Sequence, residues 1–494
     1  ALAQPDHPRP VTASGPEMTR PPDTRAPVAR APNPGPPVPP KPPARRDGFS
    51  LLRYVRAFRR DILSANPARL YRAKMAEFRI PFLHTFLLNQ PPLWRHVLTE
   101  HPQDFPKSPR MAAGLEPLLG QGVFLTNGAQ WQFQRRIIDP AFEGGRLRDT
   151  FPAMLAAAQA CVARLERMDG HAPVEMEAQT SHATADVIFR TLFSMPIEDK
   201  TASAVFQEFR TFQGTQPLLN LAAFLPLPRW MPRFHRPGTL RAARRIRALT
   251  RDLVTARRLA IAQGTAPDDL ATKIMTTADP VTGSRFDDDQ MVDQVAVFFL
   301  AGHETSASAL AWALYLLALD PATQDAVADE ARQVLGNAPV PAPEFAAVSR
   351  LKLARDVFRE TLRLYPPVPM MVRQAACPVR FRDRAVPRGA QAVVSPWYLG
   401  RHEALWDQPD AFCPGRWQTS QGRSAARDGF LPFSAGPRVC PGAGFAMVEG
   451  PLLLAMLARR LRFSTVEGRA PRPVAHLTVR SATGIWLKIE RRSA

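Results

Sequence analysis

Cys440 lies in a short segment rich in glycine and proline. The sequence FSAGPRVCPG, residues 433–442, places Arg438 two residues before the cysteine and leads directly into an apolar helical pattern. The thiolate is the reactive form of cysteine, and nearby cations and the amide groups of a helix N-terminus favour it. The thiol could be a buried structural group, a nucleophile or an axial ligand of haem iron. No histidine that could activate a nucleophile lies nearby, and the rigid loop, the arginine and the helix start favour the iron ligand.

A second group of polar residues interrupts the longest apolar helical pattern, residues 286–318. Gly302, Glu304 and Thr305 lie at its centre, in the sequence AGHETS. Glycine in a helix costs ~1 kcal/mol relative to alanine, and a buried carboxylate costs more unless it has a partner. These residues could form a local kink in which the threonine hydroxyl bonds back to a helix carbonyl. Because a small residue, an acid and a hydroxyl occur together, we expect instead that the helix opens slightly and that Glu304 and Thr305 transfer protons beside a ligand.

Glu360 and Arg363 are three residues apart in a predicted helix that ends before Pro366. Side chains at this spacing lie on one helical face and can form an ion pair. Such pairs are common on solvated surfaces, so this pair alone indicates little. Arg416, in the aperiodic sequence FCPGRW, could add a second guanidinium and thereby fix the segment around it.

Four short segments together resemble the motifs of the cytochrome P450 monooxygenases. Residues 433–442 are similar to the haem-binding loop of that family, and residues 301–306 to the oxygen-activation motif of its long central helix. Residues 360–363 are similar to its Glu-x-x-Arg motif, and residues 131–135 to a Trp-x-x-x-Arg pattern on a helix that contacts the haem propionates. The resemblance covers the chain from about residue 50 and implies the family fold, mainly α with small β-sheets. Haem would lie between the central helix and the Cys440 loop.

The resemblance assigns roles to individual residues. Cys440 is expected to be the axial ligand of iron, with Phe433 shielding its sulfur. Further contacts to haem b are expected from Gly436, Arg438, Trp131, Arg135, Arg373 and Gly442. Thr305 and Glu304 are expected to guide protons to bound dioxygen. The resemblance also implies a structural triad of Glu360, Arg363 and Arg416.

The implied reaction inserts one oxygen atom of O2 into a C–H or C=C bond of an apolar substrate. Its electrons would come from NAD(P)H through a ferredoxin or flavodoxin-type donor with its reductase, because the sequence contains no flavin or nucleotide motif. A peroxygenase that uses hydrogen peroxide on the same fold is the first alternative, and a non-catalytic haem protein is the second. Neither alternative needs the proton-transferring pair Glu304 and Thr305.

The family layout also implies a set of bulky, apolar positions that face the substrate. These positions fall in residues 111–119 and 476–478 and at Phe298, Phe299, Ala301, Val368, Met370, Met371 and Leu477. They favour a lipophilic substrate such as a fatty acid, terpenoid or carotenoid. Residues 224–234, FLPLPRWMPRF, fall where the family has a mobile lid loop. Their apolar side chains could contact a membrane surface weakly or pack on the neighbouring helix.

The overall charge argues against several classes of partner and site. The formal net charge is +20, but only seven of the 64 basic residues are lysine. This arginine bias is typical of GC-rich bacterial genomes, and no basic stripe with interleaved aromatic residues indicates nucleic-acid binding. The charge could attract an acidic protein donor or could simply be solvated. Four cysteines without a CxxC pair predict reduced thiols and no structural zinc site.

Composition divides the chain into two parts. Fifteen of the 52 prolines lie in residues 1–47, which contain no aromatic residue, so this part is predicted to be an extended tail. A passive linker is the favoured interpretation over a docking segment. Residues 48–494 are expected to form one haem domain. This domain is expected to be soluble, since no apolar run reaches the ~18 residues of a membrane span. We also expect it to be monomeric and cytoplasmic. The sequence begins at Ala1, not at methionine, which leaves room for a removed upstream segment.

The elements that must position these residues are mostly helical. Periodicity predicts helices over residues 51–63, 90–100, 151–168, 180–194, 239–264, 286–318, 322–335, 347–364 and 442–460. Strand patterns cover residues 77–88, 379–396 and 474–490. Residues 398–432 have weak periodicity, and such a long irregular stretch in a compact domain indicates a functional role.

Overall fold

The computed structural model describes residues 35–45, 51–80, 83–170, 172–215, 235–475 and 477–492. Within these ranges the chain forms sixteen α-helices. In chain order they are α1 Leu51–Arg60, α2 Pro91–Arg95, α3 Pro109–Leu119, α4 Gly128–Phe142, α5 Gly144–Glu166, α6 Met176–Phe193, α7 Lys200–Thr215, α8 Pro237–Ala262, α9 Leu270–Thr276, α10 Asp288–Leu319, α11 Pro321–Leu335, α12 Phe345–Val348, α13 Lys352–Leu364, α14 Pro396–Leu399, α15 Ser420–Gly429 and α16 Ala443–Arg460. The expectation of a mainly α fold is confirmed.

The described strands form four small sheets. In chain order they are β1 Met75–Ile80, β2 Leu83–Leu88, β3 Val174–Glu175, β4 Met371–Gln374, β5 Val379–Phe381, β6 Arg384–Val386, β7 Gln391–Val394, β8 Leu461–Thr465, β9 Pro473–Ala475, β10 Val479–Ser481 and β11 Trp486–Arg491. The largest sheet has the order β1-β2-β7-β4, with β2 and β7 parallel and the other pairs antiparallel. The others have the orders β3-β11-β8, β10-β9 and β5-β6.

Helix α10 runs through the core and carries the polar group at its centre. It begins at a capping box, in which Asp287 accepts from the amide of Gln290 and the Gln290 side chain accepts in return. A Cβ atom at Gly302 would lie 2.6 Å from Cδ1 of Ile188 on α6. Close packing of two helices therefore explains this glycine. The helix continues through residues 301–306, so the predicted opening of the helix is not seen.

Several element predictions need correction. The strand predicted over residues 77–88 is two antiparallel strands, β1 and β2, on either side of residues 81–82. Pro81 falls between them, and proline has no amide to donate to a ladder. The weakly periodic residues 398–432 contain the end of α14, all of α15 and a 3₁₀ turn at Pro414–Gln418. Helices α3, α7 and α9 are not predicted by the sequence periodicity.

The sequence places a domain boundary at residue 47, whereas residues 36–45 belong to the folded unit. The carbonyl of Pro37 accepts from the amide of Phe412 at 2.9 Å, and that of Pro40 accepts from the Tyr365 hydroxyl at 2.5 Å. Lys41 pairs with Asp410. The proline-rich composition conceals this docking because backbone carbonyls, which every residue has, make two of these contacts. Residues 1–34 lie outside the described ranges, as does the predicted lid at 224–234.

No helix of the described residues is long and apolar enough to cross a membrane.

Candidate active site

The Cys440 loop is held by its own backbone. The amide of Cys440 donates to the carbonyl of Phe433 at 2.9 Å, and Gly436 has a φ of +68°. A Cβ atom at Gly436 would lie 2.0 Å from the carbonyl oxygen of Leu98, so only glycine fits against that neighbouring segment. Ser434 also has a positive φ, 66°, which is uncommon for a residue with a side chain. Contacts from two sides therefore fix the position of the loop.

Cys440 is an exposed residue, yet protein surrounds its thiol closely enough that burial is the main influence on the pKa of the thiol. Burial raises this pKa, while the backbone N–H of Gly442, Arg135 and Lys107 act in the opposite direction. The sequence indicates Arg438 as the neighbouring cation, but the structure assigns that effect to Arg135 and Lys107. Gly442 is the N-cap of α16, so the amide that acts on the thiol lies at the start of this helix.

Arg438 and Trp131 form one wall beside the loop. The Arg438 guanidinium lies 4.2 Å from the centre of the Trp131 ring, close enough for a cation–π contact. It also donates to the carbonyl of Thr126 at 3.1 Å and to Oδ1 of Asn127 at 2.8 Å. Trp131, expected to face a propionate, thus orients the arginine that the sequence places next to the cysteine.

Arg135, one turn along α4 from Trp131, links this helix to the loop. Its Nη1 atom donates to the carbonyl of Val439 at 2.8 Å. Its Nε atom lies 2.7 Å from Oδ1 of Asp139. Arg135, which is far away in the sequence, therefore fixes the backbone of Val439, the residue before Cys440.

Lys107 and Arg373 complete the group from the other side. The two residues form an isolated antiparallel bridge, and the Lys107 ammonium donates to the carbonyl of Phe124. Burial, followed by the charges of Arg373, Arg438 and Arg135, holds the pKa of Lys107 well below its usual range. Burial lowers the pKa of Arg373 to about 10. Burial and its arginine neighbours lower the pKa of Arg438 to about 10 as well.

We call these four residues the cation cluster: Lys107, Arg135, Arg373 and Arg438. Of these four residues, only Arg135 has the carboxylate of a described residue within ion-pair distance. Like charges that are buried together are costly unless an anion compensates them. The cluster beside Cys440 therefore fits a ligand with two carboxylates, such as haem, whose iron would take the thiolate.

The centre of α10 has an accessible face amid buried neighbours. Ala301 is exposed and Thr305 partly exposed, although Leu300, His303 and Glu304 are buried. The Thr305 hydroxyl donates to the carbonyl of Ala301 at 2.6 Å, the back-bonded arrangement that the sequence offers as the simpler interpretation. Positions 301 and 305 share one helical face, so a small residue and a hydroxyl line the same space.

Glu304 lies in a separate buried network. Its carboxylate accepts from Nε2 of Gln213 at 3.0 Å and from the Thr478 hydroxyl at 2.8 Å. Arg480 on β10 pairs with it at 3.1 Å and is 37% exposed. Within the described contacts Glu304 and Thr305 do not bond to each other. The structure thus connects Glu304 to solvent through Arg480 and leaves Thr305 on the accessible face.

The Glu360 network is buried completely. Its carboxylate accepts from Nε and Nη2 of Arg363 at 2.9 and 2.7 Å, from Nε of Arg416 at 2.9 Å, from Nε1 of Trp417 at 3.1 Å and from the amide of Cys413 at 3.0 Å. Burial alone would raise the pKa of Glu360, but Arg363 and Arg416 hold it below its usual range. The three residues that the sequence groups together are therefore in contact.

The predicted substrate positions divide into two groups. Phe299 is 2% exposed, and its ring lies 4.4 Å from that of Phe189 and 5.8 Å from that of Phe209. It belongs to the aromatic core, because the helix turns it away from the Ala301 face. Phe298 packs on Phe142 at 5.7 Å and is nearly buried too.

The remaining positions of this set are distributed unevenly. Val368 and Met370 are partly exposed, Leu477 is exposed, and Met371 is buried in β4. Thr478, expected near the substrate, instead donates to Glu304. His476 lies outside the described residues.

Comparison with known proteins decides the family. The family model described as Cytochrome P450 matches residues 67–489. The chain belongs to the cytochrome P450 family. Haem is therefore its cofactor, and the P450 is an oxidoreductase of the monooxygenase type, as the sequence predicts.

Two curated relatives and one solved structure illustrate the relationship. The P450 is 28% identical over 407 residues to a cytokinin hydroxylase from Arabidopsis thaliana, and the match covers 82% of this chain and 78% of the plant protein. It is 30% identical over 403 residues to cyclooctat-9-en-7-ol 5-monooxygenase from Streptomyces melanosporofaciens, covering 80% of this chain and 83% of that enzyme. The solved heme domain of cytochrome P450DA matches with a TM-score of 0.76 over 92% of this chain and 98% of its own length. At 22% identity that structure supports the fold alone.

Glu449 is a buried carboxyl of the P450 that the sequence reasoning missed. It lies on α16, where Oε2 accepts from the hydroxyl of Ser306 at 2.7 Å, next to Thr305. Its other oxygen has no partner among the described residues. Burial raises the pKa of Glu449 to about 8. The carboxyl is therefore mostly protonated at neutral pH, with the proton on Oε1 or Oε2. The hydroxyl that bonds to Oε2 belongs to Ser306, the residue after Thr305.

The Glu449→Gln variant is expected to change how stability depends on pH. The folded-state pKa of Glu449 is above the unfolded one, so between about pH 4.5 and 8 the folded state binds more protons and the wild type loses stability as pH rises. Removing this titration should leave the variant more stable than the wild type at pH 7.5, by about 2–4 kcal/mol. Urea midpoints at pH 5.5 and 7.5 measure this. Glu166→Gln, at a half-buried carboxylate that pairs with Arg460, serves as the control. Parallel pH profiles of wild type and Glu449→Gln would contradict the prediction.

Two other residues of the site have only weak sequence signals. Lys107 lies in the proline-framed sequence FPKSP, and Arg480 lies in a short strand. A single cation in a loop is common on any surface. Only the folded chain brings Lys107 to the arginines and Arg480 to Glu304.

Proposed function

We propose that the P450 inserts one oxygen atom of O2 into a lipophilic substrate and takes its electrons from a separate protein donor. When bound, haem supplies the chemistry that reduces dioxygen and transfers one of its oxygen atoms. Cys440 would bind the iron through its thiolate, and the cation cluster, together with Trp131, would hold the propionates. Phe433, Gly436 and Gly442 shape the loop between them.

The accessible hydroxyl of Thr305 beside the solvent-linked carboxylate of Glu304 carries this proposal. Reduction of dioxygen consumes two protons, whereas the peroxide route starts from an oxidant that already contains them. Glu304 can exchange protons with solvent through the Arg480 side, and Thr305 Oγ1 can hold one on the Ala301 face. Because Glu304 and Thr305 are not in contact, transfer requires the Glu304 side chain to rotate or a water molecule to bridge.

The substrate is proposed to be a fatty acid, terpenoid or carotenoid. The accessible face of α10 presents a methyl group at Ala301, and the partly exposed Val368 and Met370 are apolar. Methionine adapts its shape to irregular ligands. One relative takes an alkenol, cyclooctat-9-en-7-ol, by its name. Lipophilic recognition through shape therefore fits better than recognition through charge.

The electron donor is proposed to be a ferredoxin or flavodoxin-type protein, reduced from NAD(P)H by its own reductase. The formal charge of +20 favours an acidic donor by long-range attraction. This attraction predicts that the association rate falls as ionic strength rises.

The Thr305→Ala and Glu304→Gln variants are expected to separate the oxygen route from the peroxide route. With O2, donor and reductase, product formation should fall on the order of 10²-fold, because proton transfer by positioned groups contributes about that much. More of the consumed NAD(P)H should then appear as hydrogen peroxide. With added hydrogen peroxide, product formation should change little. The measurement is product and peroxide per NAD(P)H on a panel of fatty acids, terpenoids and carotenoids.

Ser308→Ala is the matched control for Thr305→Ala. Its hydroxyl, one turn further along α10, donates to the carbonyl of Val479, which also accepts from Trp312. Turnover should therefore be retained. A wild type that is active with peroxide but inactive with O2 and every donor would instead establish the peroxygenase alternative.

A further inference from the structure

His96, Glu100 and His101 bring three metal-binding side chains together after helix α2. One donor atom from each lies within 4.8 Å of the others. The two imidazole rings are 4.4 Å apart, and Nδ1 of His96 lies 3.7 Å from Oε2 of Glu100. Imidazole nitrogens with a carboxylate oxygen are a ligand set that Zn²⁺ and Cu²⁺ accept. None of these residues belongs to the haem site.

A change in helix type makes this juxtaposition. Residues His96–Glu100 form a π-helical turn, in which the amide of His101 donates to the carbonyl of His96 at 2.9 Å. In an α-helix two positions five residues apart would point about 140° apart. The wider π turn moves them toward the same side, and π turns often occur at functional sites. The backbone therefore already places the two histidines together.

Neighbouring side chains restrict both rings. The His96 ring packs edge-on against Phe105 and Phe381, which are fully buried. Nδ1 of His101 lies 3.8 Å from Oδ2 of Asp104. The carbonyl of Asp104 in turn accepts from the amide of Ala376 at 2.8 Å. A small rotation of either side chain brings the Asp104 carboxylate into hydrogen-bond range of Nδ1. Nε2 is then left for a metal, and such a second-partner hydrogen bond strengthens metal binding by histidine.

We propose that His96, Glu100 and His101 bind a divalent transition-metal ion of the Zn²⁺ and Cu²⁺ class. Asp104 is then a positioning residue for His101. The side chains of His96, Glu100 and His101 are 33%, 55% and 52% exposed, so small rotations can shorten the distances to metal bonds of about 2.1 Å. Water fills the remaining coordination positions.

Titration of ZnCl2 into the full-length holoprotein, free of affinity-tag histidines, tests the site by calorimetry. The wild type should bind one equivalent at pH 7.5. Asp104→Asn should weaken binding about tenfold or more. His101→Ala removes a ligand, and Glu100→Gln replaces a carboxylate with a weaker, neutral oxygen donor; both should weaken zinc binding further. His84→Ala, at a surface histidine paired with Glu77 at 2.7 Å, is the matched control and should bind like the wild type.

Absence of zinc binding in the wild type, or equal binding in His101→Ala, would overturn the proposal. His96→Ala disturbs packing on Phe105 and Phe381, so the exposed positions Glu100, His101 and Asp104 carry the test if that variant does not fold. The carbon monoxide spectrum of each reduced variant reports the haem site separately. Loss of zinc binding with that spectrum unchanged therefore distinguishes this site from the proposed function.

Discussion

The Cys440→Ala variant is expected to lose the red-shifted Soret band that thiolate ligation gives to the reduced carbon monoxide complex, and to form no product above that of free haem. The Phe433 carbonyl and the Gly442 amide fix the backbone and the sulfur of Cys440, the proposed iron ligand. Alanine keeps the loop but supplies no donor, and thiolate donation favours O–O cleavage. Difference spectra of the reduced protein, with and without carbon monoxide, measure the change.

Cys377→Ala is the control for that substitution. Cys377 is partly exposed and, like Cys161 and Cys413, lies outside the Cys440 loop. It should keep both the spectrum and the activity. A red-shifted band that survives in Cys440→Ala, or disappears in Cys377→Ala, would contradict the assignment of the iron ligand.

The cation cluster determines how far the Cys440 result can be interpreted. Arg135 and Lys107 lower the pKa of the thiol, and both also belong to the proposed propionate site. Loss of haem from a cluster variant would therefore change two properties at once. Cys440→Ala changes the sulfur alone, which makes it the sharper test of ligation.

Helices α10 and α13, which carry Thr305 and Glu360, follow from the sequence: α10 is a long apolar run, and α13 is strongly periodic. Helix α4, which carries Trp131 and Arg135, is not among the helices that periodicity predicts. The sequence predicts helix α10 over residues 286–318, and it is found at Asp288–Leu319. Short elements that gain their stability from tertiary contacts, such as α9 and β4, have too few residues to show a period. The docked residues 36–45 escape prediction for a similar reason, since backbone carbonyls make their contacts and leave no side-chain pattern.

The contacts within the site are predictable only where they lie close in sequence or match a family motif. Glu360 and Arg363 are one helical turn apart, so their pairing could be expected. Lys107 meets Arg373 across more than 250 residues, and no periodicity encodes that distance. Phe299 is predicted to face the substrate but packs in the aromatic core. The sequence does not distinguish the two, because a bulky apolar residue on a core helix has the same pattern in either case.

The Glu360→Gln variant is expected to have the largest effect on stability. The carboxylate accepts five hydrogen bonds from Arg363, Arg416, Trp417 and Cys413, with no exposure to solvent. An amide of the same shape turns one acceptor into a donor that faces a guanidinium, and leaves two buried cations without a counter-charge. Breaking a buried pair in this way costs about 3–5 kcal/mol, a large fraction of the stability of an ordinary domain.

The loss should spread from the triad to the haem side of the molecule. Arg363 also donates to the carbonyls of Gly400, Pro409 and Ala411, and so ties α13 to the segment that leads toward the Cys440 loop. Haem content per protein and the urea midpoint should therefore fall together. Asp329→Asn is the matched control, because Asp329 and Arg332 have the same spacing but lie on the surface of α11, where a pair contributes at most about 1 kcal/mol. A Glu360→Gln midpoint that shifts no more than that of Asp329→Asn would mean that the triad is dispensable, and that the fold of this segment rests on the carbonyl contacts of Arg363 alone.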